Sequence, residues 1–228
     1  MAAGREGAPS GSLWLADSQS AGKGRLGRHW ESKPGLGLYF SLLLRPAMRA
    51  AMAPLTTLAV GLGLAEALRG QGLQDLIVKW PNDLLVGGRK LGGVLTEMVH
   101  RGEAVDFLVI GVGINVAHEM TDFSPELQGS ATSLRQAQGR NWDRFELLEI
   151  LQPAIVSAVD RLLDQGPAEL CRLWEERSGM AGRTVAYAGD KGLARAGRVL
   201  GLDPEGRLRV GHADGSVAEL IAEDTTLL

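Results

Sequence analysis

The segment Ala21-Gly22-Lys23-Gly24-Arg25-Leu26-Gly27-Arg28-His29-Trp30 sets three glycines and three fixed cations side by side. Glycine lets a backbone approach a ligand closely and adopt positive φ. Lysine and arginine heads beside it meet anionic oxygens, arginine in a bidentate fork. The chemistry served by that composition is the wrapping of a phosphate or a carboxylate. A solvated basic loop accounts for the same residues, so the loop alone leaves both readings open. Gly22-Lys23-Gly24-Arg25-Leu26-Gly27 also spells G-x-G-x-x-G. A dinucleotide site would need a helix next and an acid at the end of the following strand. The chain instead runs on through Lys33-Pro34-Gly35, and the next strand ends at Arg45-Pro46. No G-x-x-x-x-G-K-[ST] occurs, which argues against a P-loop.

A second motif tips the balance. Lys79-Trp80-Pro81-Asn82-Asp83 is followed by Arg89-Lys90-Leu91-Gly92-Gly93. A strand, an Asx-type turn and a hairpin explain the proline and one of the two turn acids or amides. They do not explain Lys90, a cation entering an otherwise apolar strand beside two glycines. A carboxylate or phosphate oxygen in front of Lys90 would explain it, and Gly93 would let a flat ligand press on the strand backbone. The third motif is Ile110-Gly111-Val112-Gly113-Ile114-Asn115, at the end of an apolar strand. Close packing under a helix accounts for its glycines. Room for a ligand, with Asn115 presenting its amide, accounts for them equally.

These motifs need a scaffold. Alternating or apolar runs predict strands at 12–17, 36–44, 76–80 and 105–112, and a hairpin of 84–86 with 91–99 across Gly87-Gly88-Arg89. Pro81-Asn82-Asp83 reads as a turn. Helical spacing predicts helices at 54–69, with Pro54 in its first turn and Gly61 and Gly63 allowing close packing, and at 141–164 and 167–177. Residues 130–134 lead into a loop. After Ser178-Gly179 short strands at 184–187, 195–202, 208–211 and 216–221 alternate with Gly-Asp-Lys-Gly, Asp-Pro-Glu-Gly and Ala-Asp-Gly turns. That pattern predicts a small β-barrel. The expected units are therefore 1–178 and 179–228.

Composition bounds the rest. The chain has 228 residues and a net charge of −3, which argues against a general nucleic-acid binder. Cys171 is the only cysteine, and His29, His100, His118 and His212 are scattered without zinc-like spacing. No apolar run is expected to be long enough to cross a bilayer, and the first residues lack a signal peptide's apolar core. A cytoplasmic protein without a structural metal is expected.

Taken together, the motifs resemble those of biotin protein ligases. The match lies in the 21–30 loop, Lys79–Asp83, Arg89–Gly93, Gly111–Asn115 and Ala131-Thr132-Ser133-Leu134, in the family's order and approximate spacing. The resemblance covers nearly the whole chain. It implies an α+β fold with a mixed β-sheet and flanking helices, followed by a small SH3-like barrel. It implies joining biotin and ATP into biotinyl-5′-adenylate with release of pyrophosphate, then transfer of biotin to a lysine of a biotin carboxyl carrier protein. By similarity Lys90 would bridge the biotin carboxyl and the α-phosphate, and Arg25 and Arg28 would meet the ATP phosphates. Arg25 would also belong to the biotin side, where the amides of Gly22 and Lys23 hold the carboxylate. Gln19 would bond the ureido ring, with Gly93 and Gly111 giving it room. Trp30, Asn82 and Asn115 would contact the nucleotide. Mg2+ is expected with ATP, and Asp83 would orient the metal or the incoming amine. Arg25→Ala would then release adenylate onto bystander proteins.

The sequence departs from the family at two places. Lys23 stands where arginine is usual. The Ser-Thr-Asn motif, whose hydroxyls help bind the biotin ring, is absent, and residues 1–9 look like the tail of the helix that follows it. Weaker biotin binding is therefore expected. A DNA-binding helix-turn-helix is also absent, so no operator DNA is implied. A homodimer through a sheet edge is compatible with the pattern. Two alternatives stay open: a lipoate-type ligase, and a remnant that binds nucleotide or carrier without turnover.

Overall fold

The computed structural model describes residues 1–189, 194–221 and 225–228. Its first sheet is built from β1 (Leu13–Ala16), β2 (Gly37–Leu44), β3 (Ile77–Lys79), β4 (Asp83–Val86), β5 (Arg89–Arg101) and β6 (Ala104–Asn115). The order is β1-β2-β6-β5-β4-β3. Where the resemblance implied mixed pairing, these strands pair antiparallel throughout, and the parallel contact is an isolated bridge, Lys90 with Ala131. The reason lies in the connections: β3 to β6 follow one another through tight turns, which return a strand antiparallel. Gly87 and Gly88 both hold positive φ (57° and 75°), the requirement of a two-residue hairpin turn.

The helices are α1 (Ala2–Arg5), α2 (Ala53–Gly70), α3 (Leu134–Gln138) and α4 (Arg144–Arg177). One sheet face packs on α2 and α4. Leu38, Phe40, Leu42 and Leu44 of β2 and Leu108, Ile110, Val112 and Ile114 of β6 are buried in a core shared with Leu64 of α2 and Leu151 and Ile155 of α4. A Cβ on Gly63 would stand 2.8 Å from that of Ala158 and 2.9 Å from the Ala154 carbonyl, so the glycine does set the close approach of α2 to α4. Residues 50–70 have a mean hydropathy of 1.5 and are long and apolar enough to cross a membrane. This corrects the sequence reading. Burial of that helix in the core accounts for its composition.

The two helices expected at 141–164 and 167–177 are one run broken at Gly166 (φ 78°, ψ 178°), just before Pro167. α3 falls near the expected loop. Five residues are too few to show a helical period, and the helix rests on its caps: Ser133 Oγ accepts from Gln136 N–H, and Gly139 closes it at φ 68°. On the other sheet face Leu43, Phe107 and Val109 form a small cluster with Met1, Ala8 and Val99. Gly4 of α1 lies directly on Phe107.

The second sheet contains β7 (Thr184–Ala188), β8 (Ala194–Leu202), β9 (Leu208–Gly211), β10 (Val217–Leu220) and β11 (Thr225–Leu227), in the order β10-β9-β8-β7-β11. Among the described residues β10 and β11 do not pair, so this SH3-like sheet is not closed. The turn expected at Gly-Asp-Lys-Gly lies, Gly189 apart, outside the described residues. β11 was not expected, because Thr-Thr-Leu is too short to carry a pattern. Among the described residues, hydrogen bonds tie this sheet to the first: Trp80 Nε1–H donates to Gly206 O (3.0 Å), and Thr225 Oγ1–H to Trp80 O (3.2 Å).

Candidate active site

A cavity of about 620 Å³ lies on the sheet face away from α2 and α4. Its floor is glycine. A Cβ on Gly93 would find its nearest neighbour at 3.4 Å, and so would one on Gly111. Packing therefore does not demand glycine at either position; an added methyl would make ordinary van der Waals contacts there. Gly113 differs, since a Cβ there would stand 2.7 Å from the Trp30 ring. It is the bed on which Trp30 lies.

Lys90 reaches this face through a break in register. Asp83 pairs with Gly93 and Leu84 with Gly92, but Leu85 pairs with Lys90, leaving Leu91 as an extra residue. Strict alternation from Gly93 would send Lys90 into the core and Leu91 into the cavity. The bulge reverses this, as bulges beside functional sites do. Leu91 is fully buried in the core, and Lys90 lines the cavity. Lys90 N–H donates to Ser130 O (2.7 Å) and Thr132 N–H donates to Lys90 O (2.9 Å), so both sides of the Lys90 backbone are clamped.

Lys90 Nζ lies 2.6 Å from Asp83 Oδ1 and 5.5 Å from the centre of the Trp30 ring. The Asp83 contact is an ion pair outside hydrogen-bond geometry, since Oδ1 has no hydrogen-bond partner. Across the Pro81-Asn82 turn, whose Trp80–Pro81 peptide is cis, Lys79 pairs in register with Asp83. Its Nζ stands 3.8 Å from Asp83 Oδ2. Burial pushes the Lys79 pKa below its ordinary value; Asp83 opposes this, while Lys90, Arg28 and Arg25 reinforce it.

The glycine-cation loop closes on itself. Gly24 N–H donates to Arg28 O (2.7 Å), Trp30 N–H donates to Gly22 O (2.9 Å), and Lys23 bridges His29. A Cβ on Gly22 would sit 2.4 Å from the Trp30 carbonyl oxygen, so this glycine is required by the loop's own closure. At the tip Leu26, a residue 67% exposed, holds φ 56°, a left-handed conformation costly to a branched residue. Lys23, Arg25, Arg28 and Trp30 all line the cavity, as does Gln19. The Trp30 Nε1–H is buried without a hydrogen-bond partner. Lys79 and Lys90 complete five lysines and arginines along the wall, against the carboxylates of Glu31, Asp83 and Glu97. A chain of net charge −3 has thus gathered a local excess of cations.

Asn82 and Asn115 line the cavity, but their amide nitrogens are engaged with backbone. Asn82 Nδ2–H donates to Val94 O (3.0 Å), and Asn115 Nδ2–H to Thr132 O (3.0 Å) and Lys90 O (3.4 Å). Among the sequence-derived site residues Gly22 alone does not line the cavity. Among the described residues no group of three or more His, Cys, Asp or Glu side chains is placed to hold a metal ion. Asp83, the carboxylate expected to orient one, already faces two ammonium groups, a setting that does not suit a metal ligand.

Residues 4–115 match the model of the biotin/lipoate A/B protein ligase family. The bifunctional ligase/repressor BirA of Bacillus subtilis is 34% identical over 208 residues, covering 91% of this chain and 64% of that protein. This chain thus spans just under two thirds of that relative's length. The structure of the biotin protein ligase from Aquifex aeolicus in complex with biotin and ATP superposes with a TM-score of 0.80 at 29% identity, covering 97% of this chain and 91% of that one. The biotin–[acetyl-CoA-carboxylase] ligase of Paracoccus denitrificans is 33% identical over 183 residues, 77% of this chain and 75% of the relative. The chain belongs to the biotin protein ligase family. Its family motifs, separate in sequence, face one cavity here: the 21–30 loop, the Lys79–Asp83 turn, Lys90 to Gly93 and Gly111 to Asn115.

Other residues of this biotin protein ligase fold escaped the sequence reading. Thr225, Thr226 and Leu227 of β11 line the cavity from the second sheet, and Phe123 and Leu127 line it from the 116–133 segment. Nothing in their local sequence marks them. Lys79 belongs to a motif that assigns it no role; its place four residues before Asp83, across a turn, is the signal the sequence offers.

Proposed function

We propose that this chain activates biotin with ATP and then passes it to a carrier lysine. In the first step a biotin carboxylate oxygen attacks the α-phosphorus, the bond to the β-phosphate oxygen breaks, and pyrophosphate leaves. In the second the carrier's ε-amine attacks the acyl carbon, the acyl–phosphate bond breaks, AMP leaves, and the nitrogen gives up a proton to solvent. The observation that carries the proposal is that Lys90, Arg25 and Arg28 line one cavity floored by Gly93 and Gly111. Both partners of the first step are anionic, so cations fixed around their junction offset repulsion and stabilise charge developing on phosphorus.

In this reading Lys90 bridges the biotin carboxyl and the α-phosphate, and Arg25 and Arg28 hold the phosphates. The amides near Gly22 and Lys23 receive the carboxylate. Gln19 bonds the ureido ring, and the bare backbone of Gly93 and Gly111 lets it lie close. Trp30 carries the base with its Nε1–H as a donor, and Asn82 and Asn115 contribute through their oxygens while their nitrogens brace the backbone. Asp83 receives the incoming amine. Mg2+ enters as the counter-ion of ATP, and no step here runs through it.

The proposal extends to a division at 178/179, a biotin carboxyl carrier domain as partner, and a cytoplasmic setting. It includes a homodimer through the β5 edge, where β4 pairs no further than Gly93. The test is incubation with ATP, a biotin carrier domain and either biotin or lipoate, read by streptavidin blot and mass spectrometry. Carrier labelled with biotin supports the proposal. Labelling with lipoate alone, or with neither, overturns it. Sedimentation of the purified protein decides the dimer.

A further inference from the structure

We infer that Lys79 is a positioning residue: it holds Asp83 so that Lys90 is free to leave that carboxylate for the reacting oxygens. The inference rests on the adenylate-forming reading above. Lys90 now sits 2.6 Å from Asp83 Oδ1, without a directed hydrogen bond. To bridge a carboxyl and a phosphate it must give that contact up. Asp83, its side chain only 16% exposed, would then be a largely buried carboxylate without a counter-charge, an arrangement of high cost. Asp83 would therefore retain Lys90 unless a second cation took its place.

Lys79 is that cation. Strand register fixes it opposite Asp83, its side chain is 20% exposed, and its Nζ waits 3.8 Å from the other oxygen, Oδ2. This is ion-pair distance but longer than a hydrogen bond, so a small shift closes it. The remaining charges around Lys79 are Lys90, Arg28 and Arg25, all repulsive to it. Departure of Lys90 toward an anion removes one of these and strengthens the Lys79–Asp83 pair. The carboxylate changes partners without being stranded, and keeps a free oxygen toward the cavity for the amine of the second step.

The test is biotin-dependent pyrophosphate exchange by the whole chain as wild type, K79M, K79R and K79M/D83N, with thermal melts to confirm folding. K79M should lower the exchange rate constant about tenfold or more with little change in biotin KM, and K79R should largely restore it. K79M/D83N should exceed K79M, because removing the carboxylate releases Lys90. A crystal structure of the wild type with biotin and a non-hydrolysable ATP analogue should show Lys79 at hydrogen-bond distance from Asp83 and Lys90 withdrawn from it. K79M at the wild-type rate, no rescue in the double variant, or Lys90 still on Asp83 in the complex would each overturn the inference. Wild type without any exchange would overturn the proposed function, and this inference with it.

Discussion

On β6, Leu108, Ile110, Val112 and Ile114 point to the helices, while Val109, Gly111, Gly113 and Asn115 face the other way. The same strand thus presents branched carbons to one side and bare backbone to the other. The first face is filled by α2 and α4; the second is left open and edged with lysine and arginine. Folding energy and binding volume are in this way assigned to opposite faces of one sheet. A substitution should disturb one without the other.

The largest expected effect is on the open face. Lys90→Ala should slow adenylate formation about a thousandfold while leaving the melting temperature nearly unchanged. A parallel loss of stability would show that the two faces are not independent. Next is the packed face: Ile110→Ala, at a residue with no exposed surface, should cost about 3 kcal/mol in denaturant unfolding. Its turnover per folded molecule should match wild type.

The glycines sharpen the comparison. Gly111→Ala adds a methyl whose nearest neighbour is 3.4 Å away, so stability should hold while biotin KM rises about tenfold. Gly113→Ala meets Trp30 at 2.7 Å and should instead weaken nucleotide binding, about fivefold, through displacement of the ring.

The smallest effect lies where a buried titrating group touches the cavity wall. His118 is 2% exposed and stacks on Phe123 at 4.9 Å. Burial is the leading cause that holds its pKa below the ordinary 6.5; Asp122 and Glu31 pull it up, and Lys33 pulls it down. As pH falls below about 6.5 the unfolded chain takes the proton before the folded one does. Stability should therefore decline from there down to the lowered folded value and level off beneath it. A His118→Phe variant should flatten that limb in melts recorded across pH. An unchanged limb would assign it to other groups.

Much of the scaffold was legible because periodicity records which side of an element is buried. The run at 54–69 became α2, and the strand at 105–112 became the centre of β6 with a few residues added at its C-terminal end. The break at Gly166 was visible in Pro167. The short pieces were not legible: α3 depends on its caps, and β11 on pairing with β7. Pairing closed through distant partners leaves no mark in a three-residue stretch.

Residue types in the loop, the turn and the strand glycines at 93 and 111 pointed by themselves to a place for an anion, because a solvated loop or close packing explains each motif singly but not Lys90 beside them. What they could not determine was which way each one points. Lys90 and Gly93 are an odd number of residues apart, so an unbroken strand would place them on opposite faces. The extra residue at Leu91 brings them to the same one. Only the pairing of β4 with β5 decides that, since a bulge is a property of two strands and is written in neither alone.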